Sequence, residues 1–165
     1  MKVAANAVSD YCLKTMNKLI LLDAGPLGLL ANPHQSPAAD ACNQWMQQRL
    51  QAGTVALISE VADYEVRREL IRAGRTASLR KLDSLQQRFT FLPITSPTMR
   101  RAAELWALSR QMGKPTSHEL SLDGDVIIAA QAALLRDDGD DIIVATTNPR
   151  HFVHLVPAAN WQDIA

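Results

Sequence analysis

Asp123 and Asp125 flank Gly124 at the mouth of SLDGDVIIAAQAA, ahead of a run from Val126 to Leu135 in which only Gln131 is strongly polar. One aspartate is enough to cap such a helix, accepting from its unpaired N–H groups and meeting the positive end of its dipole. A second in the same place points to a bound cation. Asp23 closes the aliphatic run LILLD, and Thr146 and Asn148 stand at the end of IIVATTN. The helix that begins near Ser59 carries further carboxylates. At about 100° per residue, Ile58, Val61, Ala62 and Val66 share an arc that also holds Glu65 and Glu69, while Asp63 and Arg67 lie outside it. A carboxylate on an apolar face must be paired with a base, protonated or bound to a metal. An internal ion pair with Arg68 or Arg72 is one solution and a cation is the other. Helical geometry does not choose between Glu65 and Glu69.

Asp23, Glu65, Asp125 and Asn148 together would make an all-oxygen ligand set. Such a set suits Mg²⁺ or Mn²⁺, which keep waters and bind substrate phosphate, better than Zn²⁺, which favours Cys and His. A cation held this way activates water and neutralises charge on a phosphodiester under attack, so no side-chain nucleophile is required. None is evident: GxSxG, HExxH, a Walker A loop and GxGxxG are all absent from the sequence. The acidic run DDGDD, Asp137 to Asp141, lacks the spaced oxygens and terminal Glu of an EF-hand and reads as a solvated turn.

These side chains can meet only if the elements carrying them end at one edge. Lys18 to Asp23, Thr54 to Ile58, Phe89 to Ile94 and Ile142 to Ala145 read as strands, and Phe152 to Val156 as a short edge strand. Between them the pattern predicts helices: a short one over Leu27 to Ala31 after the AGP turn, then Ala38 to Leu50, Ser59 to about Ala73 with Ser59 as N-cap, Thr76 to Gln87, and Met99 to Met112. Alternating strands and helices predict an α/β fold, a three-layer α/β/α sandwich on a mostly parallel sheet of four to five strands. Ligands gather beyond the carboxyl ends of such strands, where Asp23 and Asn148 stand.

At 165 residues the chain is long enough for one domain with its own core, which we place from residue 18 onward. The first 17 residues read as an extension without the long apolar segment of a signal peptide or membrane span, and Met16 stands where a complete domain could start. Cys12 and Cys42 form no metal or redox motif, which points to free thiols in a reducing cytoplasm. Seventeen basic and seventeen acidic residues balance, so bulk charge does not hold this protein on a polyanion. Locally, Arg67, Arg68, Arg72, Arg75, Arg80 and Lys81 stand against Glu69 alone. That segment reads either as an arm contacting phosphates or as an ordinary solvated face. Lys114 and His118 lie in the loop that feeds the Asp123/Asp125 helix, where a substrate would pass.

From Lys18 to Val156 the chain resembles the PIN-domain ribonucleases, and among them the toxin subunits of VapBC type, in the pieces LLDAGPL, SEVADYEVRREL, DGDVIIAAQA and ATTNPRHF. The resemblance implies an endoribonuclease that uses Mg²⁺ or Mn²⁺ to cleave single-stranded or loop RNA. By it Asp23, Glu65 and Asp125 are the acidic ligands, Glu65 is preferred to Glu69, Asn148 takes the place of a fourth acid, Asp123 is an auxiliary carboxylate and Thr146 supports the site by its hydroxyl. It also implies a homodimer and a small antitoxin covering the acidic pocket. Two features depart from the pattern: Ala24 replaces a Ser or Thr that often follows the first Asp, and the fourth position is an amide. A second cation would then bind more weakly. These departures support the alternative of a catalytically weak or inactive RNA-binding or assembly module; the three retained acids oppose it. A phosphoacceptor receiver domain would need an acidic pair at the first strand and a Lys on a late one, and neither is present.

Overall fold

The structure is a computed structural model that describes residues 18–34, 36–114 and 123–165. The expectations for residues 1–17 and for His118 fall outside the described residues. In chain order the elements are β1 (Leu19–Leu22), α1 (Ala24–Leu30), α2 (Pro37–Gln51), β2 (Val55–Ser59), α3 (Glu60–Arg72), α4 (Thr76–Arg88), β3 (Thr90–Leu92), α5 (Ser96–Gln111), α6 (Gly124–Asp137), β4 (Ile142–Thr146) and β5 (Ala158–Asn160). Among the described residues the five strands form one sheet in the order β3-β2-β1-β4-β5, and every pairing is parallel.

The aliphatic runs take the centre because parallel strands covered on both faces need continuous apolar sequence. Ile20, Leu21 and Leu22 of β1 are fully buried, and β2 and β4 pair with them from Leu19↔Val55 and Leu19↔Ile142 onward. The edge strands β3 and β5 are three residues each, short enough to offer little template for unwanted pairing. The chain moves outward from β1 through β2 to β3, then returns past β1 to β4. With right-handed crossovers this reversal puts α1 to α4 on one face and α5 and α6 on the other. α6 runs through the interior, buried from Val126 to Ala133, and its alanines let it lie close to α5. Trp45 stacks at a tilt on Trp161, with ring centroids 5.6 Å apart, and donates its indole N–H to Ile164 O, closing the carboxyl-terminal turn onto α2.

Several local readings are corrected. The AGP segment is not a turn before the first helix but its first turn, tolerated because Pro26 lies where a helix leaves N–H groups unpaired. Phe152 to Val156 is not a strand. Leu155 and Val156 both donate back to Phe152 O in a helical-type turn, so the buried Phe152 and Val156 are four residues apart on one side, and the edge strand comes later, at Ala158. Ser59 occupies the N-cap position of α3, but its side chain makes no cap bond and its buried Oγ is unpartnered. β3 keeps only the middle of the expected strand, because Pro93 ends it and Gln131 of α6 donates to the carbonyls of Leu92 and Pro93 instead.

Candidate active site

The carboxyl ends of β1 and β4 lie side by side where the strand order reverses, and the first carboxylate grows directly out of β1. Asp23 is 8% exposed and caps α1, accepting the Ala24 N–H on Oδ1 at 2.6 Å. Its Oδ2 accepts the hydroxyl of the fully buried Thr146 from the neighbouring strand at 2.7 Å. The Thr146 oxygen in turn accepts the Asn148 N–H at 3.0 Å, so one hydroxyl fixes both the aspartate and the chain leaving β4.

The second carboxylate comes from α3. Glu65 lies about one and a half turns into the helix, partly buried, with its Oε1 directly over Gly124 at the start of α6. A Cβ at position 124 would collide with that oxygen, so the glycine makes the room that Glu65 occupies. Glu69, one turn further on, is exposed and receives Arg72 Nε at 2.9 Å. The two glutamates separate because α3 leaves the core toward its carboxyl end, where Ile71 and Arg72 are exposed.

The aspartates of α6 divide their work. Asp123 is the N-cap and accepts the Val126 N–H at 3.2 Å. Asp125 sits in the first turn, its Oδ2 hydrogen-bonded with His151 Nδ1 at 2.6 Å. His151 Nε2 meets the Asn148 side-chain amide nitrogen at 2.9 Å. Burial and mutual repulsion act together on this group. Burial raises the Glu65 pKa, and Asp23, Asp125 and Asp123 raise it further against the opposing Arg68. Asp125 is raised by burial and by Asp23, against His151. Asp23 is raised by burial, against its hydrogen bonds from Thr146 and Ala24 and the nearby His151.

Carboxylates that repel one another at a sheet edge fit a hard divalent cation. Asp23, Glu65 and Asp125, with Asp123 beside them, are the residues that could hold it. Among the described residues, no three His, Cys, Asp or Glu side chains are already arranged to enclose an ion. Among the described residues a cavity of about 480 Å³ lies away from this group, between Arg101, Arg136 and the Asp140–Asp141 turn.

No family model matches the sequence, and no curated protein matches it either. Solved structures do match. A chain of VapBC2 from Rickettsia felis, bound to a promoter DNA fragment, superposes with a TM-score of 0.66 at 16% identity, covering 87% of this chain and 98% of that one. A chain of VapBC-1 from nontypeable Haemophilus influenzae gives 0.61 at 15%, covering 88% and 99%. DNA-bound VapBC from Salmonella typhimurium gives 0.57 at 19%, again covering 88% and 99%. The fold is that of a PIN domain.

The basic residues that the sequence offers for a polyanion behave differently from one another. Arg67 bridges α3 and α4, reaching Asp63 Oδ2 at 2.9 Å and Asp83 Oδ1 at 2.9 Å, because α4 covers the helix face that periodicity alone leaves to solvent. Arg68 is exposed and lies 5.2 Å from the centre of the Tyr64 ring, next to Glu65. Arg72 and Arg75 are exposed at the end of α3, and Lys114 is exposed beyond α5 beside His154. His151 is the residue that reading the sequence missed. Its one signal was position: three residues after Asn148 across Asn-Pro, the spacing at which a tight turn brings side chains together.

Proposed function

We propose that this protein is a Mg²⁺- or Mn²⁺-dependent endoribonuclease and the toxin of a toxin–antitoxin pair. The observation that carries the reading is the gathering of Asp23, Glu65 and Asp125 from β1, α3 and α6 at the carboxyl edge of a PIN fold. Bound there, the cation would supply activation of a water molecule and neutralisation of charge on the scissile phosphate. The chain's own part is positional. Thr146 and the Ala24 N–H orient Asp23, Gly124 admits Glu65, and the first turn of α6 presents Asp125. Thr146 acts through the hydroxyl that holds Asp23, and Asn148, through its amide, and Asp123, as an auxiliary carboxylate, flank the three acids. Of the exposed cations Arg68 acts directly on Glu65, and we assign it, with the exposed Arg72, Arg75 and Lys114, to the RNA backbone.

The VapBC neighbours are complexes of two components, which supports a small antitoxin as the partner here. We further propose a homodimer. Among the described residues no helix is long and apolar enough to cross a membrane; a cytoplasmic site of action is part of the proposal.

The test compares wild type with Asp125→Asn on a pooled set of structured RNAs in Mg²⁺, Mn²⁺ and EDTA, with both proteins shown to be folded. Cutting that needs the metal and disappears in the variant supports the nuclease. No cutting by the wild type in any metal, with RNA still bound, would establish the binding-module reading in its place.

A further inference from the structure

We propose that His151 is a positioning residue for Asp125, and that Asn148 acts through His151, the three side chains forming one line from the end of β4 to the first turn of α6. This rests on the metal-dependent nuclease reading. The chain turns sharply after Asn148: Pro149–His151 is a single 3-10 turn, His151 N donates to Asn148 O at 3.3 Å, and the buried Phe152 anchors the end of that turn in the core. The turn returns the imidazole to the Asn148 side chain, 2.9 Å from Nδ2 to Nε2, and aims the opposite ring nitrogen at Asp125 Oδ2, 2.6 Å away.

The chemistry of the two partners assigns the ring. An ionised carboxylate only accepts, so Nδ1 carries the proton; an amide nitrogen only donates, so Nε2 offers its lone pair. In this state neither ring nitrogen is available to a cation. The ring instead holds one oxygen of Asp125 and leaves the other to turn toward Asp23 and Glu65. Asp125 needs such a hold, because Asp23 and Asp123 repel it. A hydrogen-bonded partner that orients a ligating carboxylate is commonly worth a factor of about 10–100 in metal affinity. Asn148 then contributes by selecting the ring's tautomer rather than by touching the cation.

Two readouts separate this proposal from the reading beneath it. In metal-free protein labelled with ¹⁵N-histidine, long-range ¹H–¹⁵N spectra near pH 8 should show His151 protonated at Nδ1 and bare at Nε2, and Asn148→Ala should mix the tautomers. A ring protonated at Nε2 in the wild type overturns the proposal whatever the metal does. Mn²⁺ affinity by calorimetry should fall about 10–100-fold in His151→Ala, recover in part in His151→Asn, whose amide can still donate to Asp125, and fall in Asn148→Ala. In the double variant Asn148→Ala should add nothing to His151→Ala. Full additivity would make Asn148 an independent ligand and overturn the inference. Tight Mn²⁺ binding that is lost in Asp125→Asn but unchanged in both His151 variants overturns it while leaving the nuclease reading intact. No Mn²⁺ binding by the wild type refutes the metal-dependent reading and the positioning role with it.

Discussion

Replacing Gly124 by alanine should separate the function of this site from the stability of the fold. Gly124 is the first residue of α6 and has no positive φ, so an alanine fits its backbone. Helix propensity favours the change, by at most about 0.5–1 kcal/mol and less at a first position. The obstacle is Glu65 Oε1, with Glu65 Cδ at 3.2 Å and Val61 Cγ2 at 3.6 Å from the new Cβ. The carboxylate is the far end of a flexible side chain and must retreat by about 1 Å to regain van der Waals separation. Burial raises the Glu65 pKa, so moving its charge outward costs the fold nothing. A misplacement of about 1 Å at a reacting centre can nevertheless cost roughly 100-fold in rate. We expect a thermal midpoint within about 2 °C of wild type or above it, with Mn²⁺ affinity and RNA cleavage both reduced at least tenfold. Wild-type cleavage at wild-type stability would show that Glu65 does not have to occupy that place. A large loss of stability would show that the contact is structural.

Asp125→Asn should stabilise the cation-free protein at neutral pH, on the order of 1 kcal/mol, because the folded state raises the Asp125 pKa and so disfavours its charge. The advantage should shrink as pH falls through that raised value toward the unfolded one near about 3.9, where the wild-type carboxyl is neutral in both states. Denaturant titrations at two pH values measure it, and a variant less stable than wild type at pH 7 would contradict the sign. Thr146→Val should cost about 1–3 kcal/mol, since it leaves Asp23 Oδ2 and the Asn148 N–H without their partner, and Thr146→Ser should restore most of it. Arg67→Ala should lower stability by breaking the link from Asp63 to Asp83 without altering the salt dependence of RNA binding. Arg72→Ala with Arg75→Ala should do the reverse, reducing the slope of log affinity against log salt by about 0.7 for each lost phosphate contact on single-stranded RNA; an unchanged slope removes that arm from the RNA path.

The ends of α3 and β4 show how far the primary structure could be read. Val61, Ala62 and Val66 face inward as their spacing requires, yet the same spacing put Glu65 and Glu69 on one arc and Arg67 opposite them. One helix does not record where it leaves the core or which neighbour covers its other face. In this chain it leaves the core before Glu69, and α4 lies across Asp63 and Arg67. At β4 the run IIVAT is legible as a strand, but Phe152 to Val156, which reads as a short edge strand, is a helical-type turn. The first reading stays open, and the second is corrected, where a packed neighbour or a proline, rather than local propensity, decides the path of the chain.

By itself, therefore, the sequence determined the class of fold, since parallel strands buried on both faces demand the unbroken aliphatic runs at Leu19, Val55 and Ile142, and it placed Asp23 and Thr146 at the strand ends where ligands gather. The tertiary structure gave the preference for Glu65 over Glu69, implied until then by resemblance alone, its physical cause, and only the tertiary structure decided that Arg67 ties two helices together and that His151 joins Asn148 to Asp125. Each of those outcomes is a contact between elements distant along the chain or across a turn, and it depends on distances that periodicity cannot carry.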